Sequence, residues 1–202
     1  MNNKYGKKTF MLVFAGCCII FAASAKPRKD TFTSFEGATT EWRAVQTMWS
    51  DGDVSTGAVL STDWASDGKQ SLKCMYAAPP SGKGGATYFT EKMSMKDISP
   101  YDAISYDVYN PSVQTVQVAL ALTTGSGWTW FESKPVDIKP GEKKTIVVEL
   151  YEGQLKASSS QWAFKLDLED SDDLRRVAVK FFVPSEAGKG TIYIDNMTLI
   201  VE

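Results

Sequence analysis

Two tryptophans separated by a single residue, Trp128 and Trp130, have the types and spacing best suited to bind a ligand in this sequence. Side chains two positions apart in a β-strand project from the same side of the sheet, so the two indoles form one flat surface. A sugar ring can stack its apolar face on such a surface. The pair therefore predicts a platform for a carbohydrate.

A carbohydrate site also needs polar side chains beside the rings, because the sugar hydroxyl groups must find hydrogen-bond partners. Glu132 shares the strand parity of the two tryptophans. Gln117 and Tyr109 lie on the predicted solvent faces of other strands, and Lys180 alternates with apolar neighbours. The predicted carbohydrate-binding residues are Trp128, Trp130, Glu132, Gln117, Tyr109 and Lys180.

The same alternation supports a second interpretation of the tryptophan pair. Val136 and Ile138 are expected in the core and have the same even parity, so an unbroken strand would bury both indoles. Pro135 cannot donate to a sheet ladder and can mark a bulge or break that resets the register. Because β-sandwich cores often bury a tryptophan, the sequence leaves the platform and the core interpretations open.

The other tryptophans are interpreted as packing residues of the core or of loops: Trp42, Trp49, Trp64 and Trp162. Trp49 is followed closely by Asp51 and Asp53, so it is also a candidate for the rim of a site. The sequence assigns Trp162 no contact with a ligand.

Catalytic motifs are missing from the sequence. It contains no histidine, which excludes the Ser/His/Asp and Cys/His catalytic sets, and it has no G-x-S-x-G motif or phosphate-binding loop. Glycoside hydrolysis needs only two carboxylates at a fixed separation, but the acid-rich stretch 167–173 is typical of a solvated turn. The sequence therefore predicts a protein that is not an enzyme.

Residues 1–25 have the pattern of a secretory signal peptide. Three lysines precede an apolar run from Phe10 to Ala23, and Ala23-Ser24-Ala25 forms a small-residue cleavage site before Lys26. The run is too short for a membrane span. We expect cleavage after Ala25 and a secreted or periplasmic protein without a membrane span. A lipoprotein cleavage at Cys17 is the alternative.

Composition limits the function of the exported part. Removing the signal peptide removes three lysines and no acid, so the formal charge falls from −2 to −5. This acidity argues against nucleic acid as a partner. Only Cys74 remains, so no internal disulfide can form. Residues 26–30 are predicted as a linker, and 31–202 are long enough for one domain.

The elements that must position the tryptophans are β-strands. Val116, Val118, Leu120 and Leu122 alternate with smaller or polar residues, which is typical of a strand with one buried face. Ten or eleven such short segments follow one another with regular turns and almost no helix. This pattern predicts an all-β, antiparallel β-sandwich of the jelly-roll type, in which the first and last strands are neighbours or face each other.

Several short motifs occur in a characteristic order. They are Phe35-Glu36-Gly37 with a tryptophan soon after, then Asp67-Gly68-Lys69-Gln70-Ser71-Leu72-Lys73, then Tyr101-Asp102-Ala103-Ile104-Ser105-Tyr106-Asp107-Val108-Tyr109-Asn110, then Lys139-Pro140-Gly141, and finally Ile192-Tyr193-Ile194-Asp195-Asn196. In this order they resemble the galactose-binding-like β-sandwich of bacterial carbohydrate-binding modules, which often accompany secreted glycoside hydrolases. The resemblance extends from about Phe32 to Val201 and implies the same fold.

The resemblance also implies a structural calcium ion. Its ligands would be the side chains of Glu36 and Asp195 and the backbone carbonyls of Ser34 and Lys69. Calcium prefers several hard oxygen ligands, and a site that joins both ends of the chain would stabilise a fold without disulfides. The other interpretation is that Glu36 and Asp195 are solvated residues at strand ends.

Two functions of different classes follow. The first is an exported, non-catalytic protein that binds a polysaccharide or oligosaccharide, with secreted glycoside hydrolases as further partners. The second is a structural or assembly protein of the periplasm or cell surface that uses the same sandwich for protein contacts. Exposed tryptophans beside Gln117 and Glu132 would favour sugar, whereas a broad apolar patch would favour a protein partner.

Overall fold

The computed structural model describes residues 27–45 and 52–201. The predicted signal peptide and Trp49 lie outside these residues. The described chain forms thirteen β-strands and two short 3-10 turns, Ser158–Ser160 and Ser185–Ala187. The strands are β1 Arg28–Thr33, β2 Arg43–Ala44, β3 Ser55–Ser61, β4 Ser71–Ala77, β5 Lys83–Thr90, β6 Ala103–Tyr109, β7 Val116–Thr124, β8 Thr129–Ser133, β9 Val136–Ile138, β10 Lys143–Glu149, β11 Leu155–Lys156, β12 Leu174–Pro184 and β13 Lys189–Val201.

The strands form two antiparallel sheets, as the sequence predicts. Sheet A has the order β10-β6-β13-β4-β3, and β1 pairs with the second half of β13. Sheet B has the order β11-β8-β7-β12-β5-β2, and β9 continues the β8 edge along β7. The all-β sandwich is therefore confirmed.

The first and last described strands are paired neighbours, which is one of the two arrangements expected for them. β1 begins at Arg28, within the stretch 26–30 that the sequence predicted as a linker. Arg28 lies opposite Val201 and Asp30 lies opposite Leu199. These residues are strand rather than linker because β13 is long enough to pair with β4 and then with β1.

The main core lies between the two sheets and follows the predicted alternation. Val116, Val118, Leu120 and Leu122 of β7 are all buried in it. The intervening β7 residues point to the outer face of sheet B. A second, smaller apolar cluster lies on that outer face and consists of Val45, Phe89, Ala121 and Ala178, with Trp130 packed against it.

The strand containing Trp130 breaks at Pro135. Ala121 lies opposite Glu132, whereas Val118 lies opposite Val136, so three steps along β7 match four steps along the partner. The extra residue reverses the parity between β8 and β9. Phe131 in β8 and Ile138 in β9 are therefore both buried in the core although their numbers differ in parity.

In the described part of the chain, no helix has the length and apolar character needed to cross a membrane.

Candidate functional site

The outer face of sheet B brings together most of the predicted carbohydrate-binding residues. Adjacent strands place Phe89, Ala178, Ala121 and Glu132 in one row across this face. Ala121 and Ala178 are small, so the indole of Trp130 packs over them. Trp130 therefore lies outside the core, and the break at Pro135 decides between the two interpretations in favour of the outer face.

A trough of about 560 Å³ runs over this face. Its walls include the aromatic rings of Trp130, Trp162 and Phe182. Gly85 lies on its floor, where a Cβ would come 3.2 Å from Cε of Lys180. The polar side chains that line the trough are those of Asp53, Lys83, Thr87 and Lys180.

Glu132 lies on the predicted face, but it is buried rather than exposed, with 3% of its surface accessible. Lys156 covers it from β11, with Nζ 2.8 Å from Oε1, and Lys180 approaches Oε2 at 3.5 Å. This burial is not predictable from the sequence, because Lys156 reaches Glu132 only through the pairing of β11 with β8. The carboxylate thus contacts two ammonium groups, of which that of Lys180 lines the trough.

Trp162 is a trough residue that the sequence analysis missed. Its backbone is left-handed, with φ at 61°, and about half of its side chain is exposed. A turn holds this conformation, because the Trp162 N–H donates to the Ala157 carbonyl at 3.0 Å. Left-handed geometry at a bulky residue carries strain that concentrates at functional sites. A tryptophan in a Ser-rich segment was the only signal in the sequence.

Trp128 shares the outer face but does not line the trough. It belongs to the turn before β8, has a left-handed φ of 52° and is 48% exposed. The guanidinium of Arg176 lies 5.5 Å from the centre of its ring. Arg176 also lies 4.8 Å from the ring of Phe89, so the Trp128 indole rests on a fixed cationic support.

Gln117 and Lys180 lie on the predicted face as well. Lys180 lines the trough, and its ammonium lies 4.9 Å from the ring of Phe182. Gln117 lies opposite Phe182 in the next strand and donates to Asp137 at 2.9 Å. Both therefore belong to the surface that carries Trp130.

Tyr109 does not join this site, so its assignment to the tryptophan platform is wrong. It belongs to β6 and lies on the outer face of sheet A, on the opposite side of the sandwich. Its ring lies next to Tyr193 and Trp64. Alternation correctly placed Tyr109 on a solvent face, but alternation does not tell to which sheet a strand belongs.

The residues implied as calcium ligands gather around one turn. Asp195 is fully buried, and its Oδ2 accepts the N–H groups of Ser66 at 2.7 Å and Asp67 at 3.0 Å. Its Oδ1 is buried without a hydrogen-bond partner among the described residues. Glu36 accepts the N–H groups of Lys69 and Gln70 at 2.8 and 2.9 Å.

The N–H groups that donate to Glu36 and to Oδ2 of Asp195 satisfy these oxygens without a metal, so among these atoms Oδ1 of Asp195 is the one that fits a cation ligand. Ser34 precedes Glu36 by two residues, and Phe35 between them is left-handed, which turns the chain there. The backbone hydrogen bonds to Glu36 lower the pKa of its carboxyl group, so the group is charged at neutral pH. In the part of the chain described, no three acidic, histidine or cysteine side chains converge, so the carbonyls of Ser34 and Lys69 would be needed as ligands.

Comparisons with known proteins agree with this architecture. The family model described as "Mannanase, galactose-binding domain-like" matches residues 33–196. No match was found among curated proteins. An exo-β-agarase structure has a TM-score of 0.59 and 14% identity, and the alignment covers 85% of this chain but only 25% of the agarase chain.

Two carbohydrate-binding modules of similar size share the fold. The family 11 module of a cellulosomal cellulase of Clostridium thermocellum has a TM-score of 0.51 and 18% identity, with 87% of this chain and 95% of the module covered. CBM27-1 of Caldicellulosiruptor saccharolyticus, solved in complex with mannohexaose, has a TM-score of 0.52 and 17% identity, with 87% and 97% covered.

Proposed function

The chain belongs to the mannanase galactose-binding-domain-like family, and from that membership we propose that it is an exported, non-catalytic protein that binds a polysaccharide in the sheet B trough. The observation that carries this proposal is the trough itself, in which Trp130 and Trp162 stand beside Lys180 and Lys83. Because a fold hosts many functions, the proposal depends on these side chains as well as on the family.

The chemistry of the trough suits a sugar polymer. Two indoles and the ring of Phe182 offer flat apolar surface for sugar rings. The lysine ammonium groups and Thr87 offer partners for hydroxyl groups. The trough is less suited to a protein partner, because its aromatic rings lie among charged groups and form no broad apolar patch. The assembly-protein alternative is therefore not favoured.

A mannan is the first ligand to test. The matching family model is named for mannanases, and the structurally similar CBM27-1 was solved with mannohexaose. The trough is within the usual size range of ligand pockets, about 300–1,000 Å³. We expect a stretch of a few sugar rings to lie along Trp130 and Trp162.

Export and a non-catalytic role complete the proposal. The predicted signal peptide at residues 1–25 supports export, and the acid-rich stretch 167–173, which is typical of a solvated turn rather than a catalytic cleft, supports binding without catalysis. Secreted glycoside hydrolases would act on the same polymer. N-terminal sequencing of the exported protein should begin at Lys26. Release of reducing sugar from any bound polymer would overturn the non-catalytic role.

Affinity electrophoresis tests the binding function directly. Native gels that contain mannan, mixed-linkage β-glucan or agarose should retard the protein in at least one case. Trp130→Ala and Trp162→Ala should each weaken binding by about 2 kcal/mol, which is a roughly 30-fold higher Kd. Tyr151→Ala is the matched control, because Tyr151 is an exposed aromatic residue outside the trough. If no polymer retards the protein, the proposed function fails.

A structural calcium ion is proposed at the turn that holds Glu36 and Asp195. The unpartnered Oδ1 of Asp195 and the charged Glu36 carboxylate support it. When bound, the ion would supply charge neutralisation and a link between the N-terminal segment and β13. It would have a structural role only.

A further inference from the structure

The outer face of sheet A carries three aromatic rings where a solvent-facing sheet would usually be polar. Tyr109 of β6 and Tyr193 of β13 lie opposite each other, with ring centres 5.9 Å apart. Trp64, from the loop after β3, lies 5.5 Å from Tyr109 and 6.1 Å from Tyr193. All three rings are separated from the main core by the sheet itself.

A cleft of about 360 Å³ opens beside this cluster. Trp64 forms its aromatic wall, and its polar wall includes Ser66, Asp107, Lys143 and Thr145. We refer to it as the sheet A cleft. An aromatic wall opposite hydroxyl, carboxylate and ammonium groups is the same combination that the sheet B trough offers.

The polar wall of the sheet A cleft is held in a fixed arrangement. Oδ2 of Asp107 accepts the Ser66 hydroxyl at 2.7 Å and the Asn196 amide at 3.2 Å. Oδ1 of Asp107 accepts the Thr145 hydroxyl at 2.5 Å. A carboxylate oxygen can accept two hydrogen bonds, so Oδ1 can still accept one from a ligand hydroxyl. The ammonium group of Lys143 lies 5.4 Å from the Tyr109 ring, at the edge of the same cleft.

Loop anchoring explains only part of this arrangement. Trp64 does anchor its loop, since its carbonyl accepts the Ser71 hydroxyl at 2.5 Å and its ring covers the two tyrosines. Anchoring does not require the polar wall on the other side of the indole. Nor does it require Trp64 to remain partly exposed above a cleft.

We propose that the sheet A cleft is a second carbohydrate site, which binds a short stretch of the same polysaccharide as the trough. This inference rests on the proposed function of the trough. The cleft lies at the lower end of the size range of ligand pockets, so it suits fewer sugar rings than the trough does. A ligand ring stacks on Trp64, and its hydroxyl groups meet Asp107, Thr145 and Lys143.

Two sites on opposite outer faces have a consequence for the polymer. The sheets of a sandwich pack about 10 Å apart, and the two sites face away from each other. A straight stretch of one chain cannot lie in both sites. The protein therefore joins two polysaccharide chains, or two distant parts of one chain, and gains avidity on an insoluble polymer.

Titration calorimetry with mannohexaose counts the sites. We expect two sites in the full-length protein and one in each of Trp130→Ala and Trp64→Ala. Thr145→Val tests the cleft without removing the indole that anchors the loop, and it should weaken the second site about 5-fold or more, by loss of one hydroxyl contact. Circular dichroism of each variant checks that the sheets are retained.

The outcomes separate the two proposals. One site that survives both Trp64→Ala and Thr145→Val, and disappears with Trp130→Ala, overturns the cleft and leaves the trough as proposed. If mannohexaose produces no heat of binding and no polymer retards the protein, both the trough and the cleft are overturned as carbohydrate sites. Two sites, one lost with each tryptophan, support both.

Light scattering of a soluble galactomannan tests the joining of chains. The wild-type protein should increase the apparent size of the polymer at substoichiometric protein, whereas Trp64→Ala should bind without increasing it. If Trp64→Ala increases the apparent polymer size as strongly as the wild type does, the cleft does not join chains and the inference is wrong.

Discussion

Among single residues, Glu132 is a buried charged group on the outer face of sheet B. It is 3% exposed and pairs with Lys156 and Lys180, whose side chains are 20% and 28% exposed. Removing one partner of a buried pair is costly because charges remain without compensation, although partial exposure reduces that cost here. We expect Glu132→Gln to lower the free energy of unfolding by about 2 kcal/mol in denaturant titrations.

An exposed pair of the same chemistry provides the control for Glu132. Glu41 pairs with Lys92 at 2.9 Å, and both side chains are more than half exposed. Glu41→Gln should therefore change stability by about 0.5 kcal/mol or less. Glu132→Gln should also weaken glycan binding, because Lys180 loses the contact that holds it at the trough. Equal stability of the two variants would show that the Glu132 pair is no stronger than a surface pair.

Cys74 gives a second test at the level of one residue. It is fully buried in the core, and burial raises the pKa of its thiol. Because the thiolate is the reactive form, alkylation at Cys74 should be at least about 100-fold slower in native protein than in denaturant. Raising the pH toward 9 should not release this protection while the fold persists. Mass spectrometry of the Cys74 peptide measures the rate, and fast native alkylation would contradict the described core.

Individual side-chain directions were the part of the site most accessible from sequence. Alternation along β7 and β12 placed Gln117 and Lys180 on an outer face, where the structure has them, whereas for Trp130 it left both the outer face and the core open. Alternation could not identify Trp162, because this residue lies in an irregular turn with a left-handed backbone, where side chains do not alternate between two faces. Local periodicity predicts the direction of strand residues and says little about loops that fold back over a sheet.

At the scale of elements, the break between β8 and β9 determines whether the trough exists. One extra residue near Pro135 lets both Phe131 and Ile138 face the core while Trp130 faces outward. Deleting Lys134 removes that residue, so either β8 or β9 must present the wrong face. Exposing Ile138 alone would cost about 1.5–3 kcal/mol. We expect the deletion to lower the unfolding midpoint strongly and to abolish glycan retardation.

Lys134→Ala is the control for this deletion, because it removes the Lys134 side chain but keeps the number of residues between β8 and β9. Lys134 is exposed, and its ammonium group donates to Gln154 at 2.9 Å. Its replacement should therefore cost about 0.5 kcal/mol or less. A deletion variant as stable and as active as Lys134→Ala would show that the register at Pro135 is not specified.

The sheet to which each strand belongs could not be predicted from the sequence, as Tyr109 illustrates. Its strand, β6, pairs with β10 and β13, whereas the tryptophan strand pairs with β7. Strand pairing depends on contacts between segments far apart in the chain, which a single sequence does not display. Alternation, turn residues and the order of motifs were sufficient for the fold class, because these features are local.

At the scale of the whole molecule, stability depends on how the two ends of the chain are joined. β1 pairs with the second half of β13, and the turn at Ser66–Gln70 is held from both ends, by Glu36 and by Asp195. Cys74 is the single cysteine outside residues 1–25, so residues 26–202 cannot form an internal disulfide. A bound cation at this turn would connect the segment after β1 with β13 and stabilise the folded state by mass action.

Calcium removal tests this link across the molecule. At calcium about 100 times its Kd, binding contributes about 2.7 kcal/mol, so chelation should lower the Tm by about 5–10 °C. Calcium should restore the Tm, and magnesium should restore it less because it demands smaller octahedral geometry. Glu36→Gln should have a low Tm that does not respond to either treatment, whereas Glu41→Gln should respond as wild type does. An unchanged Tm of the wild-type protein after chelation would mean that the hydrogen bonds of Glu36 and Asp195 hold this turn without a metal.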